Sequence, residues 1–446
     1  MKEGKKAFVL GGGGSRGSYE VGVWKALREH GYRPDIVTGT SVGALNGAMV
    51  VQDRLEETIR MWRMLTTDMV MDVNIKSDLQ TMADQLEAMS VFAREAIKNH
   101  GADTTPLRRL LESFIDESAI RSSGLEFGLV TVALPNLKPC AVFTDEIEEG
   151  KLIPYLLASS AFFPAMQGQT IHDTVYIDGG YYDNVPVELA VSRGAQDVIA
   201  VDLHAPGMHR RVRNPDVPIR MIEPEWDLGN ILVFDTKTAE HNIALGYLDG
   251  LKFLGVYDGV LYAFDDPELW RGIDRTVTCM LTLFGDLAPR MILPGGLDVS
   301  ELSISRLRSF FLRHVSGYYR HKRLPKQQVG LTLPEMAGKL FRLDPTRVYT
   351  VHEFKQTLYE AVHQYASDAA LFELETLLYS DCPFKEKTER ALELARGIDA
   401  RSICLWLMRE IQRCNEKSMA PVWLLAAGRI FPTEFLSAMY LIVQNA

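Results

Sequence analysis

The sequence predicts an α/β fold built on a mostly parallel sheet, followed by a mainly helical C-terminal region. In the first half of the chain, short apolar runs of strand length alternate with helical patterns, which is typical of a parallel sheet with crossover helices. From about residue 257 the strand signals fade and helical periodicity dominates. With 446 residues, 47% of them hydrophobic, the chain exceeds what one core usually supports. We therefore expect two domains, at 5–256 and 257–446.

The predicted strands of the first half are short and apolar. After the first strand, residues 18–31 place apolar side chains at near-helical spacing and end in Gly31, which predicts an amphipathic helix with a glycine stop. Residues 218–224 and a helix over 234–255 are expected to complete the last unit of the sheet. The predicted strands are 6–10, 35–40, 127–134, 138–144, 175–178 and 197–203.

Helix signals organise the second half. Thr350 and Glu353 form a capping-box pattern ahead of an apolar helical repeat. Gly397 and Asp399 have the pattern of one helix stop followed by the cap of the next helix. Packed helices are predicted at 401–414 and 420–444.

Charge and cysteine content narrow the class of protein. The net charge of −10 disfavours a general attraction to nucleic acid or to an anionic membrane, and the basic stretch 209–213 is interpreted as a solvated loop. Five cysteines without metal-ligand spacing favour reduced thiols in the cytoplasm. The apolar run near the start is too short for a signal peptide, and no segment approaches about 18 unbroken apolar residues. The expectation is a cytoplasmic protein that contacts a membrane, if at all, from its surface.

Residues 36–50 run from an apolar strand through Gly39, Ser41 and Gly43 into a helix of small residues. This is the G-x-S-x-G pattern in the strand-to-helix context of a nucleophile elbow. The glycines allow a sharp turn, and the N-terminus of the following helix favours negative charge. A serine that only caps a helix gives the same pattern, so the interpretation depends on a base and on oxyanion donors elsewhere.

The glycine loop at 11–17 follows the first strand and precedes the first helix. Gly12, Gly14 and Gly17 form G-x-G-x-x-G, and backbone amides in such a loop suit a phosphate and an oxyanion equally. A dinucleotide site also expects an acidic residue at the end of the second strand, where this chain has the serine turn. The lysine of a P-loop is missing as well. A dinucleotide-dependent oxidoreductase therefore rests on the glycine spacing alone.

The base for a serine nucleophile has two candidates. Asp178 ends a predicted strand, Gly179 and Gly180 leave space around it, and α/β folds place site residues at the carboxyl edge of the sheet. An aspartate in a glycine-rich turn would show the same pattern. His204, after the strand at 197–203, is the weaker candidate, and a loop histidine is its simpler interpretation.

Together and in this order, these three pieces resemble the patatin-like phospholipase family over about residues 5–256. The matching residues are Gly12, Gly13, Gly14, Arg16 and Gly17 in the loop, Gly39 to Gly43 in the turn, and Asp178, Gly179 and Gly180. The flanking segments 105–115, 158–166 and 183–187 are also similar to the family. No family pattern reaches the helical half after 257.

The resemblance implies a three-layer α/β/α sandwich and a Ser-Asp dyad in place of a triad. Ser41 would attack a lipid ester carbonyl, and Asp178 would accept its proton and later activate water. The backbone amides of Gly12, Gly13 and Gly14 would form the oxyanion hole, and Arg16 would lie beside them. A carboxylate is a weak base in water, so the site is expected to be desolvated. Neither a cofactor nor a metal is implied.

The predicted function is a serine acyl hydrolase of the phospholipase A or lysophospholipase type. The alternative is a patatin-fold lipid-binding or regulatory scaffold with little turnover, in which the helical half contacts a partner. The expected partner is a lipid ester and not nucleic acid, while headgroup, acyl position and oligomeric state stay open. Aromatic and apolar residues near the site are candidates for an acyl pocket, although core packing explains them too: Phe162, Phe163, Met166, Tyr181 and Tyr182.

Overall fold

The computed structural model describes most of the chain and divides it into two compact units, 1–256 and 257–446. Of the five cysteines, Cys382 lies outside the described residues, and the other four are free thiols. The residues described are 4–73, 90–91, 101–287, 291–292, 301–365, 376, 389–390, 393–394, 397–417 and 420–445.

The first unit is built on an eight-stranded sheet. Every strand predicted for this half is present, with ends within two residues of the prediction, and one short strand was not predicted. The strands are β1 (Lys5–Leu10), β2 (Ile36–Thr40), β3 (Glu126–Ala133), β4 (Lys138–Phe143), β5 (Gln169–Ile171), β6 (Thr174–Asp178), β7 (Ala195–Val201) and β8 (Ile219–Ile222). Their order is β5-β6-β3-β2-β1-β7-β8, and β4 pairs with β3.

The sheet is mixed, with a parallel centre and an antiparallel edge. The parallel pairs are β1 with β2, β2 with β3, β1 with β7 and β7 with β8. Both β4 and β6 run antiparallel to β3, and β5 runs antiparallel to β6. The connection between β3 and β4 is only a few residues long, which suits an antiparallel pair because a parallel pair needs a long crossover. The expectation of a mostly parallel sheet therefore holds for the centre only.

Helices cover both faces of this sheet, which confirms the three-layer arrangement. Side chains of a strand point alternately to the two faces, so Phe8 and Leu10 join one apolar cluster while Ala7 and Val9 join the other. The first cluster includes most helices and the second includes only α8. The helices are α1 (Ser18–Glu29), α2 (Val42–Val51), α3 (Leu55–Met64), α4 (Thr67–Val70), α5 (Thr105–Phe114), α6 (Glu117–Ser122), α7 (Leu152–Ser159), α8 (Val187–Ser192) and α9 (Thr236–Phe253).

The second unit is mainly helical, as predicted. Its helices are α10 (Leu269–Leu287), α11 (Glu301–Ser316), α12 (Thr332–Leu340), α13 (Val351–Gln364), α14 (Ala400–Lys417), α15 (Val422–Ile430) and α16 (Pro432–Asn445). Two parallel pairs of short strands accompany them: β9 (Ala263–Phe264) with β11 (Val348–Tyr349), and β10 (Met291–Ile292) with β12 (Ala420–Pro421).

The predicted capping box at the start of α13 is present. The Glu353 amide donates to Thr350 Oγ1 at 3.2 Å, and the Thr350 amide donates to Glu353 Oε2 at 2.9 Å. These two bonds satisfy amides that the first turn of a helix leaves open. In the part of the chain that the structure describes, no helix is both long enough and apolar enough to cross a bilayer.

Candidate active site

Ser41 lies in a tight turn between β2 and α2. Its φ is 55°, which residues other than glycine rarely adopt, so the backbone is strained at the serine. Gly39 and Gly43 let the turn close, since an added Cβ would lie 2.2 Å from the Gly43 oxygen at one position and 2.3 Å from the Leu10 oxygen at the other. The Ser41 amide donates to Ser159 Oγ at 3.0 Å. The strand, turn and helix predicted for this motif are therefore present. Ser41 occupies the N-cap position of α2, but its side chain makes no capping hydrogen bond.

Asp178 is the last residue of β6, which runs in the opposite direction to β2 and β3. It lies opposite Thr131 of β3, while Thr40, the last residue of β2, lies opposite Val130. Because β3 extends beyond the end of β2, the antiparallel strand β6 runs back along it and ends at the level where β2 ends. The prediction placed Asp178 at the carboxyl edge of a parallel sheet. The position is the same, but an antiparallel strand supplies it.

Burial makes Asp178 more basic than an ordinary carboxylate. The residue is 3% exposed, and burial raises its pKa to about 6, against the lowering effect of hydrogen bonds with the Ser41 side chain and the Gly180 amide. The Gly180 amide donates to Oδ1 at 2.7 Å. Gly179 allows the close approach, since an added Cβ would lie 2.2 Å from the Val130 oxygen. At neutral pH the carboxyl group is still ionised and can accept a proton.

The glycine loop lies directly beside the serine, but its three amides are not equivalent. An added Cβ at Gly12 would lie 3.3 Å from Ser41 Cβ. The Gly12 amide, which was predicted as an oxyanion donor, already donates to the Asn184 oxygen at 2.9 Å. Among the described residues, no acceptor takes the amides of Gly13 and Gly14, and Gly14 has φ of 56°. These two are therefore the amides of the predicted oxyanion loop that have no acceptor among the described residues.

Arg16 holds loops together and does not face the reaction. Its guanidinium donates to the backbone oxygens of Gly229 at 2.8 Å, Leu203 at 3.3 Å and His204 at 3.1 Å. The side chain does not line the cavity beside the serine. Grouping Arg16 with the oxyanion hole is therefore corrected: it positions the loop by binding three carbonyl groups of other segments.

His204 does not meet the serine. Its Nε2 lies 3.5 Å from Glu223 and its Nδ1 lies 3.9 Å from Asp202. It is not among the residues that line the cavity. Of the two candidate bases, the structure brings only Asp178 to Ser41.

An apolar cavity of about 300 Å³ opens in front of Ser41 and Asp178. Asp178 is the only ionisable carboxylate among the described residues that line it. The other walls come mainly from α2, α3, α5 and the segment that precedes α9. Their residues include Leu45, Met49, Met61, Trp62, Leu65, Met71, Leu107, Leu111, Phe114 and Phe234. A cavity with this lining suits a linear hydrocarbon chain.

The five residues that the sequence suggested for an acyl pocket do not all line the cavity. Phe162 and Met166 line the cavity, and Tyr181 lines it while stacking on Phe162 with ring centroids 6.2 Å apart. Phe163 does not line it and is partly exposed. Tyr182 is also outside the cavity wall. Of the five candidates, three therefore line the cavity and two do not, while their role in binding an acyl chain stays a prediction.

A loop that continues from the cavity rim carries the basic stretch 209–213. This stretch is largely exposed, and Arg213 forms an ion pair with Glu188 at 3.6 Å. The interpretation as a solvated loop is confirmed.

Sequence reasoning did not assign two polar residues that hold the site together. Asn184 accepts from the Gly12 amide with its backbone oxygen and donates to the Gly12 oxygen through Nδ2 at 3.2 Å. Ser159 accepts from the Ser41 amide and donates to the Val130 oxygen at 2.7 Å. Both lie in segments that resemble the family, at 183–187 and 158–166, and that resemblance was the available signal.

The first unit is similar in sequence to known proteins. Residues 8–191 match the sequence profile of the patatin-like phospholipases. The similarity of the chain to this family therefore covers residues 8–191, which is less than half of its length. Patatin-like phospholipase domain-containing protein 7 of Rattus norvegicus is 31% identical over 200 residues, and lysophospholipase nte1 of Aspergillus terreus is 29% identical over 198 residues. Each match covers 44% of this chain but only 13% and 12% of those proteins, respectively.

Among solved structures, VipD from Legionella pneumophila is similar to this chain with a TM-score of 0.33 and 11% identity, over 99% of this chain and 92% of that one. The residues that match the profile include the glycine loop, the serine turn and Asp178, and they end before β7.

Proposed function

We propose that this protein is a serine acyl hydrolase that cleaves carboxylic esters of lipids, with Ser41 as nucleophile and Asp178 as base. The observation that carries the proposal is that a serine in a strained turn and a buried carboxylate line the same apolar cavity. A hydroxyl group paired with a base, next to unengaged amides, is the arrangement that acyl transfer needs.

In the first half-reaction Ser41 Oγ attacks the ester carbonyl while Asp178 takes the hydroxyl proton. The negative charge that develops on the carbonyl oxygen is stabilised by the Gly13 and Gly14 amides and by the N-terminus of α2. When the tetrahedral intermediate collapses, the protonated Asp178 gives its proton to the leaving alkoxide. The product is an acyl-enzyme on Ser41.

In the second half-reaction Asp178 activates water, which attacks the acyl carbonyl, and the same two amides hold the oxyanion. Collapse of this intermediate returns the proton to Ser41 and releases the fatty acid. One carboxylate therefore serves as base in both halves, which requires a group that is ionised at neutral pH yet more basic than an ordinary aspartate.

The cavity favours substrates with one hydrocarbon chain beside the reacting ester. Its walls are almost entirely apolar, so the acyl chain is held by burial and the headgroup is left outside. The names of the relatives, phospholipase and lysophospholipase, support a phospholipase A or lysophospholipase activity. Access to the substrate at a membrane surface, and a cytoplasmic location, are parts of this proposal.

The deciding experiment measures hydrolysis of a p-nitrophenyl acyl ester and labelling by a fluorophosphonate probe. Ser41→Ala is expected to abolish both, because the nucleophile is gone. The matched control is Ser192→Ala on the far face of the sheet, where the hydroxyl only donates to the Leu189 oxygen, and it should behave like the wild type. Turnover in Ser41→Ala would refute the assignment. Tight binding of lipid vesicles without acyl release over hours would favour the scaffold alternative.

A further inference from the structure

A cluster of buried polar side chains lies behind the glycine loop. Two of its members, Asn46 and Trp62, also line the cavity, but the proposed mechanism gives the cluster no part in the chemical steps. At its centre is Asn46 on α2, which is 2% exposed. Its Nδ2 donates to the Gly17 oxygen at 2.9 Å and to Glu20 Oε2 at 2.8 Å. Its Oδ1 accepts from Trp62 Nε1 at 3.1 Å. One amide side chain therefore joins the end of the glycine loop, helix α1 and the wall of the apolar cavity.

Glu20 makes this cluster costly for stability. The side chain is 1% exposed, and within the described part of the chain its Oε1 makes no hydrogen bond. Burial raises the pKa of Glu20 well above its ordinary value, although interactions with the Asn46 side chain and with the Gly11 backbone act in the opposite direction. A buried polar atom without a partner destabilises a fold, and an apolar side chain of the same shape would avoid that cost. Stability alone therefore does not explain a carboxyl group here.

The cluster fixes the glycine loop against the helix that begins at the nucleophile. Gly17 ends the turn Gly14–Gly17, and an added Cβ on it would lie 2.5 Å from Val42 Cγ2 and 3.1 Å from Asn46 Nδ2. Val42 is the residue that follows Ser41. The bond from Asn46 to the Gly17 oxygen thus holds together the two segments that carry the oxyanion amides and the serine.

We propose that Asn46 is a positioning residue that holds the oxyanion amides of the glycine loop in place relative to Ser41, with Glu20 orienting its side chain. This inference rests on the proposed function. Oxyanion stabilisation acts on the transition state, so a displaced loop lowers kcat without weakening binding of the acyl chain. A displacement of about 1 Å in such a site costs on the order of 100-fold in rate.

The test compares kcat and KM for a p-nitrophenyl acyl ester in the full chain, together with the midpoint of thermal unfolding. Asn46→Leu should lower kcat by about 10- to 100-fold and leave KM within about twofold. Glu20→Gln keeps an acceptor for Asn46 Nδ2 and should stay near the wild type, whereas Glu20→Leu should lose kcat as Asn46→Leu does. The control is Thr58→Val on α3, a buried side chain, which removes the hydrogen bond from Oγ1 to the Arg54 oxygen at 2.7 Å.

Several results would overturn the inference. A folded Asn46→Leu with unchanged kcat, or one that changes only KM, excludes a positioning role. An equal loss of kcat in Thr58→Val would show that any buried bond of this unit matters as much. If Asn46→Leu does not fold, the test is the comparison of kcat between Glu20→Leu and Glu20→Gln. Equal kcat in these two variants overturns the inference. Wild-type protein without turnover refutes the proposed function as well, whereas wild-type turnover with unaffected variants refutes this inference alone.

Discussion

Two buried carboxylates, one in each unit, have opposite surroundings. Asp178 accepts from the Gly180 amide and the Ser41 side chain and has the apolar cavity in front of it. Glu335 on α12 is fully buried, and its Oε1 accepts from three successive amides, 260–262, at 2.8, 3.0 and 3.2 Å. Its Oε2 accepts from the Tyr319 hydroxyl at 2.5 Å. A buried carboxylate whose oxygens accept several hydrogen bonds holds the segments around it together. A buried carboxylate with few donors and a cavity in front of it can take up a proton.

The largest difference should appear in activity. Asp178→Asn removes the base and is expected to lower kcat/KM by about 1,000-fold or more, since general-base groups contribute about 100- to 10,000-fold. The free energy of unfolding near neutral pH should fall little or rise, because a buried charge with few partners is removed. Ester hydrolysis and urea denaturation measure the two quantities. The comparison fails if Glu335→Gln loses more activity per folded molecule than Asp178→Asn.

The next largest effect should be on stability, at the other carboxylate. Glu335→Leu leaves three buried amides and the Tyr319 hydroxyl without their acceptor, and it should lower the free energy of unfolding by about 3 to 5 kcal/mol. Urea denaturation followed by circular dichroism gives this value. Glu360→Leu on the exposed side of α13 is the control and should change stability by less than about 0.5 kcal/mol. A loss at Glu335 no larger than this would show that the amides find other acceptors.

The raised pKa of Asp178 predicts that activity and stability respond to pH in opposite directions. Activity should rise with pH through about 6, as the base ionises. The folded-state pKa of about 6 lies above the ordinary 3.8, so between these values the native state binds more protons than the unfolded state. The contribution of Asp178 to stability is thus present below about pH 4 and lost as pH rises through about 6, by about 3 kcal/mol in all.

This prediction is measured as the difference in free energy of unfolding between the wild type and Asp178→Asn, near pH 4 and near pH 8, beside a kcat/KM profile. The wild type should lose stability relative to the variant as pH rises. An activity maximum below about pH 5, or a constant difference in stability, would show that Asp178 is not the poised base.

The sequence allowed the centre of the fold to be predicted but not its edge. Strands β1 and β2 are apolar runs followed by glycine turns, so pattern and turn chemistry agree there. β5 is three residues long and joins β6 through His172 and Asp173, which lack the glycine or asparagine that marks a two-residue hairpin. His172 nevertheless has φ of 52°, so tertiary contacts override its preference. The antiparallel direction of β6 has no local signal at all.

In the site, local motifs predicted which residues meet, but not which of their atoms are free. Ser41 and Asp178 can each be identified from a turn pattern of a few consecutive residues. Whether the Gly12 amide is free depends on Asn184, which lies 172 positions along the chain, and the role of Arg16 depends on carbonyl groups of loops near 203 and 229. Asn46 was missed for the same reason, since its partners belong to other helices.

The smallest effect concerns the space around the two carboxylates. Asp178 faces a cavity, whereas the Tyr262 amide that binds Glu335 belongs to a residue whose ring packs against Phe354. Leu111 on α5 lines the cavity in front of Asp178. Leu111→Trp should fill part of that space and lower kcat/KM for a dodecanoyl ester by about 10-fold, a modest loss of apolar burial, while a butyrate ester stays within about twofold. Leu254→Trp, at a partly exposed position after α9, is the control. An equal loss for both esters would mean that the chain does not enter this cavity, whereas a loss confined to the long ester ties the cavity to the substrate that Asp178 acts on.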